Sequence, residues 1–200
     1  MNIIDRVKNI LITPKTEWNV IEGETTSLST MLTTYVFPLL LIGAISAFVG
    51  FGLIGYNTGL LGIRIKGIDW GLYEAITRLV AGLLGFVISA YVVDMLAANF
   101  KSEKNINKSA QLVGYSATAS FVGGIFLLIP SLSIVAILCG LYGIYLMYLG
   151  IGPLKKTPDD QKVIYMLVCI IVYAVITWLL IYILHMILGS IFNIGLASLS

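Results

Sequence analysis

VIYMLVCIIVYAVITWLLIYILHMIL, Val163–Leu188, runs for 26 residues without one Asp, Glu, Lys or Arg. The hydrocarbon core of a bilayer takes about 20 apolar residues per helix, and backbone groups within it must be paired inside the segment. Four further runs of this kind precede it, at Met31–Tyr56, Leu72–Ala97, Ala110–Ile129 and Leu132–Gly152. The 200-residue chain is 58% hydrophobic and 11% charged, with a mean hydropathy of +0.98. Such a composition lies outside the soluble range, and a soluble domain of this size lacks the polar surface to enclose five such helices. The predicted fold is all-α: a polytopic transmembrane bundle of five helices with a short N-terminal amphipathic helix. Residues 1–30 are expected to form a cytoplasmic amphipathic segment, 31–189 the bundle, and 190–200 an apolar tail at the outer surface or extending the fifth helix.

Charge position predicts orientation. Arg6, Lys8 and Lys15 precede the first run; Lys101, Lys104 and Lys108 follow the second; Lys155, Lys156 and Lys162 follow the fourth. Only Arg64 and Lys66 fall in a loop of the opposite side, while Arg78 lies within the second run. Loops rich in Lys and Arg stay in the cytoplasm, so the N-terminus is expected there and the C-terminus outside. The uncharged turn Ile129-Pro130-Ser131 must be tight, because Pro130 breaks the helix and leaves an antiparallel hairpin. The first 12 residues hold Asp5, Arg6 and Lys8 and show no cleavable signal peptide, so the first run serves as its own insertion signal.

Ahead of the bundle, Ile3, Ile4, Val7, Ile10 and Leu11 recur at helical spacing, with Asp5, Arg6, Lys8 and Asn9 assigned to the other faces. That pattern fits a helix lying among lipid headgroups. Thr13-Pro14 marks a second helix start, with Thr as cap and Pro at the first position, and Trp18 is expected at the interface.

Within the runs, charge needs a partner or a purpose, since Asp, Lys or Arg at mid-bilayer costs about 2.5–3.5 kcal/mol. Glu74 and Arg78 stand four apart in the better orientation for an ion pair. Gly82, Gly85 and Ser89 continue their stripe as a groove for a neighbouring helix. Asp94 points elsewhere, to a neighbouring helix or back to the loop. Together with Tyr115 and the three-residue steps Tyr142, Tyr145 and Tyr148, these groups form a candidate intramembrane polar cluster. Ser116, Ser120 and Gly124 repeat every four residues as a helix-packing seam, which suits packing within one subunit and homo-oligomer formation alike. Pro38 should distort the first helix.

Catalytic signatures are missing. The chain has no phosphate-cradling loop, zinc helix motif or nucleophile elbow. One histidine, His185, rules out a multi-histidine metal cluster, and Cys139 and Cys169 read as small apolar residues. No catalytic residue, metal or cofactor is assigned. Nucleic acid is excluded as a partner for want of a basic surface.

The block LYGIYLMYLGIGPLKKTPDDQK, Leu141–Lys162, resembles the YIP family of five-span membrane proteins, the Ypt/Rab-interacting-protein group with its prokaryotic relatives. Its bacterial members carry a Tyr-rich fourth span closing on a Tyr-Leu-Gly-like step, here Tyr148-Leu149-Gly150, then a loop like Lys156-Thr157-Pro158-Asp159. Thr13-Pro14-Lys15-Thr16-Glu17-Trp18 is similar to their Pro-x-x-x-Trp entry, Gly114-Tyr115 to their Gly-Tyr pair, and Pro130 to their short third turn. The resemblance implies a five-helix bundle with a cytoplasmic N-terminus and no established enzymatic activity. The long N-terminal region and Asp-Leu-Tyr-Gly-Pro motif of many eukaryotic members, which are associated with Rab GTPases, are absent here.

The expected protein is therefore a non-enzymatic, multi-pass protein of the plasma or inner membrane that organises the bilayer or binds a membrane or cytoplasmic protein. Pro14, Trp18, Lys155, Lys156, Thr157, Pro158 and Asp159 form its candidate cytoplasmic contact surface. The alternative is a small channel or transporter built around the polar cluster.

Overall fold

The computed structural model describes residues 2–57 and 64–192. The expected C-terminal tail lies, from residue 193 onward, outside the described residues.

Five helices long and apolar enough to cross a membrane run over Leu28–Ile54, Ile68–Phe100, Ile106–Leu128, Pro130–Lys155 and Asp159–Ile191, here called the first to fifth spans. The all-α expectation holds, apart from a two-residue antiparallel ladder in which Tyr56 and Asn57 face Ile65 and Arg64. The fourth and fifth spans lie at the periphery with Ile137, Leu141, Ile171, Val175, Trp178 and Met186 exposed. That is the arrangement of helices solvated by lipid rather than water. The buried centre joins Met31, Tyr35, Val36, Phe86, Leu112, Tyr115, Leu146 and Ile151.

Irregularities sit where the sequence demands them. Leu32–Val36 winds as a π-helical turn just before Pro38, because proline has no N–H to donate and its ring crowds the preceding turn. A second π-turn, Phe48–Ile54, closes at Gly55, whose φ of 88° suits glycine and whose N–H reaches the Gly50 carbonyl at 2.8 Å. The third span breaks between Ser116 and Thr118, where the Thr118 hydroxyl donates to the Tyr115 carbonyl at 2.7 Å. Beyond it, Gly124–Leu128 and Pro130–Leu132 are 3-10 turns that make the tight corner at Pro130.

The small-residue seam of the third span is spent inside the subunit. A Cβ on Gly143 of the fourth span would lie 2.8 Å from the Ser116 carbonyl oxygen, and one on Gly140 would meet the Ser120 hydroxyl at 3.6 Å. On the other side, a Cβ on Gly124 would come within 3.0 Å of the Gly43 Cα in the first span.

The largest departure from expectation is the N-terminal segment. It forms a helical hairpin, α1 (Ile3–Ile12) and α2 (Pro14–Glu22), packed against the third and fourth spans. Pro14 opens α2 as expected, but the Thr13 hydroxyl bonds back to the Asn9 carbonyl instead of capping α2. Trp18 is 1% exposed, and Ile10 and Ile21 are fully buried. The Trp18 ring fills a notch on the fourth span that only a glycine leaves open, since a Cβ on Gly150 would stand 2.7 Å from it. At the hairpin's tip, the Tyr142 hydroxyl donates to the Leu11 carbonyl at 2.9 Å.

A methyl group at Gly50 would fall on the Leu127 carbonyl oxygen, a backbone atom with no room to yield. Gly50→Ala should therefore cost about 1–3 kcal/mol in a reversible unfolding titration in micelles. Gly67→Ala, where nothing among the described residues lies within 4 Å, should stay within about 0.5 kcal/mol of the parent.

Candidate functional site

A polar layer joins the hairpin to the bundle at the end carrying the basic loops. Its centre is Arg6. At 100° per residue this side chain lies only 40° from Ile10, so it belongs to the apolar stripe of α1 and not to a polar face. Arg6 is 4% exposed. Its Nη1 donates to Glu17 Oε1 at 2.5 Å, its Nη2 to Glu24, and its guanidinium sits 5.2 Å above the Tyr115 ring. Tyr115 in turn meets the edges of Tyr35 at 4.8 Å and Trp18 at 6.3 Å, and the Tyr35 hydroxyl bonds the Thr118 hydroxyl at 2.7 Å. The end of α2 is tied down by Lys108, whose Nζ donates to the carbonyls of Glu22 at 2.6 Å and Glu24 at 2.7 Å. A cation is favoured at that negative end of the helix dipole.

One step away, Lys155 is fully buried at the end of the fourth span. Its Nζ reaches the Ser109 hydroxyl at 2.7 Å and Asp94 at 3.2 Å, and Ser109 donates to the same Asp94 oxygen at 3.1 Å. Tyr165 of the fifth span stacks on Phe100 at 4.8 Å and donates to the Val93 carbonyl. Thr157 bonds the Ile151 carbonyl at 3.2 Å and the Ser102 hydroxyl at 2.9 Å. The Arg6 group thus ties α1 and α2 to the third and fourth spans, and the Lys155 group ties the second, third, fourth and fifth spans to one another.

This geometry divides the polar residues singled out in the sequence. Glu74 and Arg78 do pair, at 2.9 Å, but 20 and 16 residues from Asp94 on the same helix, about 30 and 24 Å along its axis. Asp94 and Tyr115 belong to the layer just described. Tyr142 holds the hairpin tip, and Tyr145 and Tyr148 face outward, 42% and 43% exposed. These side chains therefore do not meet around one cavity. Of the candidate contact surface, Pro14, Trp18, Lys155 and Thr157 are buried, which leaves Lys156 and Asp159 as its well-exposed charges. The helix of the fourth span runs on through Pro153 to Lys155, which carries that lysine inside. Sequence reasoning missed Arg6, Glu17, Glu24 and Lys108. The available signal was a charge intruding on the Ile3–Ile10 stripe.

The layer is made of paired charges whose hydrogen-bonding capacity is turned inward. Removing one member should expose the difference between buried and rim pairs. Arg6→Ala leaves Glu17, 6% exposed in its side chain, without its guanidinium and should cost about 3–5 kcal/mol. Lys156→Ala breaks the outer pair with Glu22, whose side chains are 56% and 38% exposed, and should cost under about 1 kcal/mol. Unfolding titrations in micelles measure both.

Comparison with known proteins agrees with the membrane architecture. The chain is similar to the inner membrane protein YohC of Escherichia coli (strain K12), with 31% identity over 143 residues, 69% of this chain and 72% of the relative. YohC of Escherichia coli O6:H1 matches to the same extent. No solved structure matches. The model of the Yip1 domain matches residues 8–181, from α1 into the last turns of the fifth span. This chain belongs to the Yip1 domain family of integral membrane proteins.

Proposed function

We propose that this protein is a non-enzymatic organiser of the plasma or inner membrane, with its N-terminus in the cytoplasm and its C-terminus outside. The observation that carries the proposal is the built-in hairpin. Tyr142, which bonds its tip, lies 13 residues from Lys155 on the same helix, about 20 Å along the axis. Two extra helices, each about 10 Å across, thus widen the basic half of a five-helix bundle. A body broader in one leaflet than in the other favours membrane that curves toward its broad end. The inner-membrane location in the name of the relatives supports the compartment. The orientation is supported by the three basic segments, which come together through the polar layer at one end. Partner binding has less to work with, because the buried hairpin takes Trp18 and Pro14 out of reach. The transport reading would need Glu74 and Asp94 around a common space, and they stand at opposite ends of one helix.

Labelled protein reconstituted with its basic end outward in giant vesicles should concentrate on tubules pulled from them, relative to the parent surface. Equal density on tubule and parent would remove the organising role. Topology is tested separately: a periplasm-dependent reporter should be active when fused after residue 200 and inactive when fused before residue 1. The reverse pattern would overturn the orientation.

A further inference from the structure

The inner face of the hairpin is spent on the bundle, but its outer face is polar and reaches well past the basic end. α2 runs alongside the fourth span: Glu22 pairs with Lys156, and Trp18 fills the notch at Gly150. The turn into α1 is fixed where the Tyr142 hydroxyl meets the Leu11 carbonyl, 13 residues from Lys155 on the fourth span. Lys15 therefore stands seven residues from Glu22, about 10 Å along α2 toward the bilayer centre. It is exposed, as are Thr16 and Asn19 on α2 and Asp5 and Lys8 on α1. Neither lysine has an ion-pair partner among the described residues. Nor does Lys15 lean back to the basic end, because side chains tilt toward the N-terminus of their helix and α2 begins at the tip.

The flank of the fifth span has the opposite character at equal depth. The Tyr165 hydroxyl reaches the carbonyl of Val93, next to Asp94 and so level with Lys155. Ile171 lies six residues beyond Tyr165, about 9 Å deeper, and is 61% exposed, as the nearer Val163, Ile164 and Leu167 are also exposed. The two flanks are separate, since the hairpin packs on the third and fourth spans and the fifth span on the second and fourth. A lysine in hydrocarbon is costly, and so is a row of exposed valine, isoleucine and leucine in water. No flat membrane boundary satisfies both. From Leu132 to Lys155 the fourth span measures about 34 Å, room for a hydrocarbon core of about 30 Å, whereas a boundary at Lys15 leaves about 24 Å.

We propose that the outer face of the hairpin is a docking surface for phospholipid headgroups, and that the headgroup layer at the basic end descends along it by about 10 Å, the offset of Lys15. The bilayer is thereby thinned beside the third and fourth spans and keeps its full thickness beside the fifth. Ile4, Ile12 and Val20 are exposed among the polar groups of this face. Such a mixture of cations and apolar side chains suits phosphates and their water at the membrane surface, and neither acyl chains nor bulk solvent alone. The descent needs only the packed hairpin and stands apart from the curvature reading.

The test is a depth measurement by power-saturation electron paramagnetic resonance on the full chain in phosphatidylcholine nanodiscs. Cys139→Ala with Cys169→Ala supplies the background, and one cysteine at a time carries a nitroxide. Labels at Lys15→Cys and Thr16→Cys should collide with a water-soluble nickel chelate as freely as one at Lys101→Cys, an exposed loop position. A label at Ile171→Cys should collide with oxygen and be shielded from nickel. A shielded, oxygen-rich label at Lys15→Cys would put the outer face among acyl chains and overturn the descent. Free access of nickel at Ile171→Cys would put the whole basic half in water and overturn it equally. Should the cysteine-free background not fold, the unmodified chain decides the matter: a water-soluble amine-reactive ester should acetylate Lys15 as completely as Lys101, while diazirines on acyl chains insert within Val163–Ile171. Lys15 spared, or that stretch unlabelled, is the contrary result.

Discussion

A guanidinium enclosed by protein has to be met by negative charge, and the rest of the N-terminal architecture depends on how Arg6 is met. Its partners come from α2 (Glu17) and from the link into the first span (Glu24), while Tyr115 of the third span lies beneath it. An isolated buried charge carries a desolvation penalty of several kcal/mol, so α1 stays folded back on α2 wherever Arg6 is covered. The remaining contacts then fall into register. Trp18 enters the notch at Gly150, Lys108 closes the carbonyl end of α2, and Ser27 starts the first span with its hydroxyl on the Thr30 N–H at 3.1 Å.

Polar chemistry is thereby sorted to the two ends of the bundle. One end holds the Arg6 and Lys155 clusters, each drawing residues from separate helices. The other holds Glu74 with Arg78, the latter 5.8 Å from the Phe51 ring centre, and the Tyr73 hydroxyl bonded to His185 Nδ1 at 2.6 Å. Between them the spans meet through glycines and apolar side chains, as at Gly43 with Gly124 and at Gly82 with Leu40. Helices in lipid gain little from burying apolar surface, so close backbone approach and a few hydrogen bonds carry their association. The long-range tie between hairpin and bundle is of that kind and is concentrated at the basic end.

The five spans were legible because length and composition alone separate a lipid-solvated helix from a soluble one. The Glu74–Arg78 pair followed from spacing on a single helix, and the corner at Pro130 from the proline itself. What escaped was everything that depends on a second element. Periodicity in α1 identifies an apolar face but not what covers it, and headgroups and the third span are equivalent in that respect. Arg6 was counted with the polar faces although its angle put it on the stripe of Ile3 and Ile10. Lys155 was placed in the loop after the run Leu132–Gly152, whereas the helix continues through Pro153 and carries the lysine inside. The seam of Ser116, Ser120 and Gly124 was visible, but only the structure assigns its partners to Gly140, Gly143 and Gly43 of the same chain.

The claim that the hairpin is an integral part of the bundle is tested most directly by the environment of Trp18. With Trp70 and Trp178 replaced by phenylalanine, the single remaining indole can be probed by aqueous acrylamide and by phospholipids brominated at shallow and deep positions. The account predicts that neither class of quencher reaches it, while a variant keeping only Trp178, 68% exposed on the fifth span, is quenched strongly by brominated chains. Quenching of Trp18 by acrylamide and by shallow bromines, as for an anchor resting in the headgroups, would contradict it.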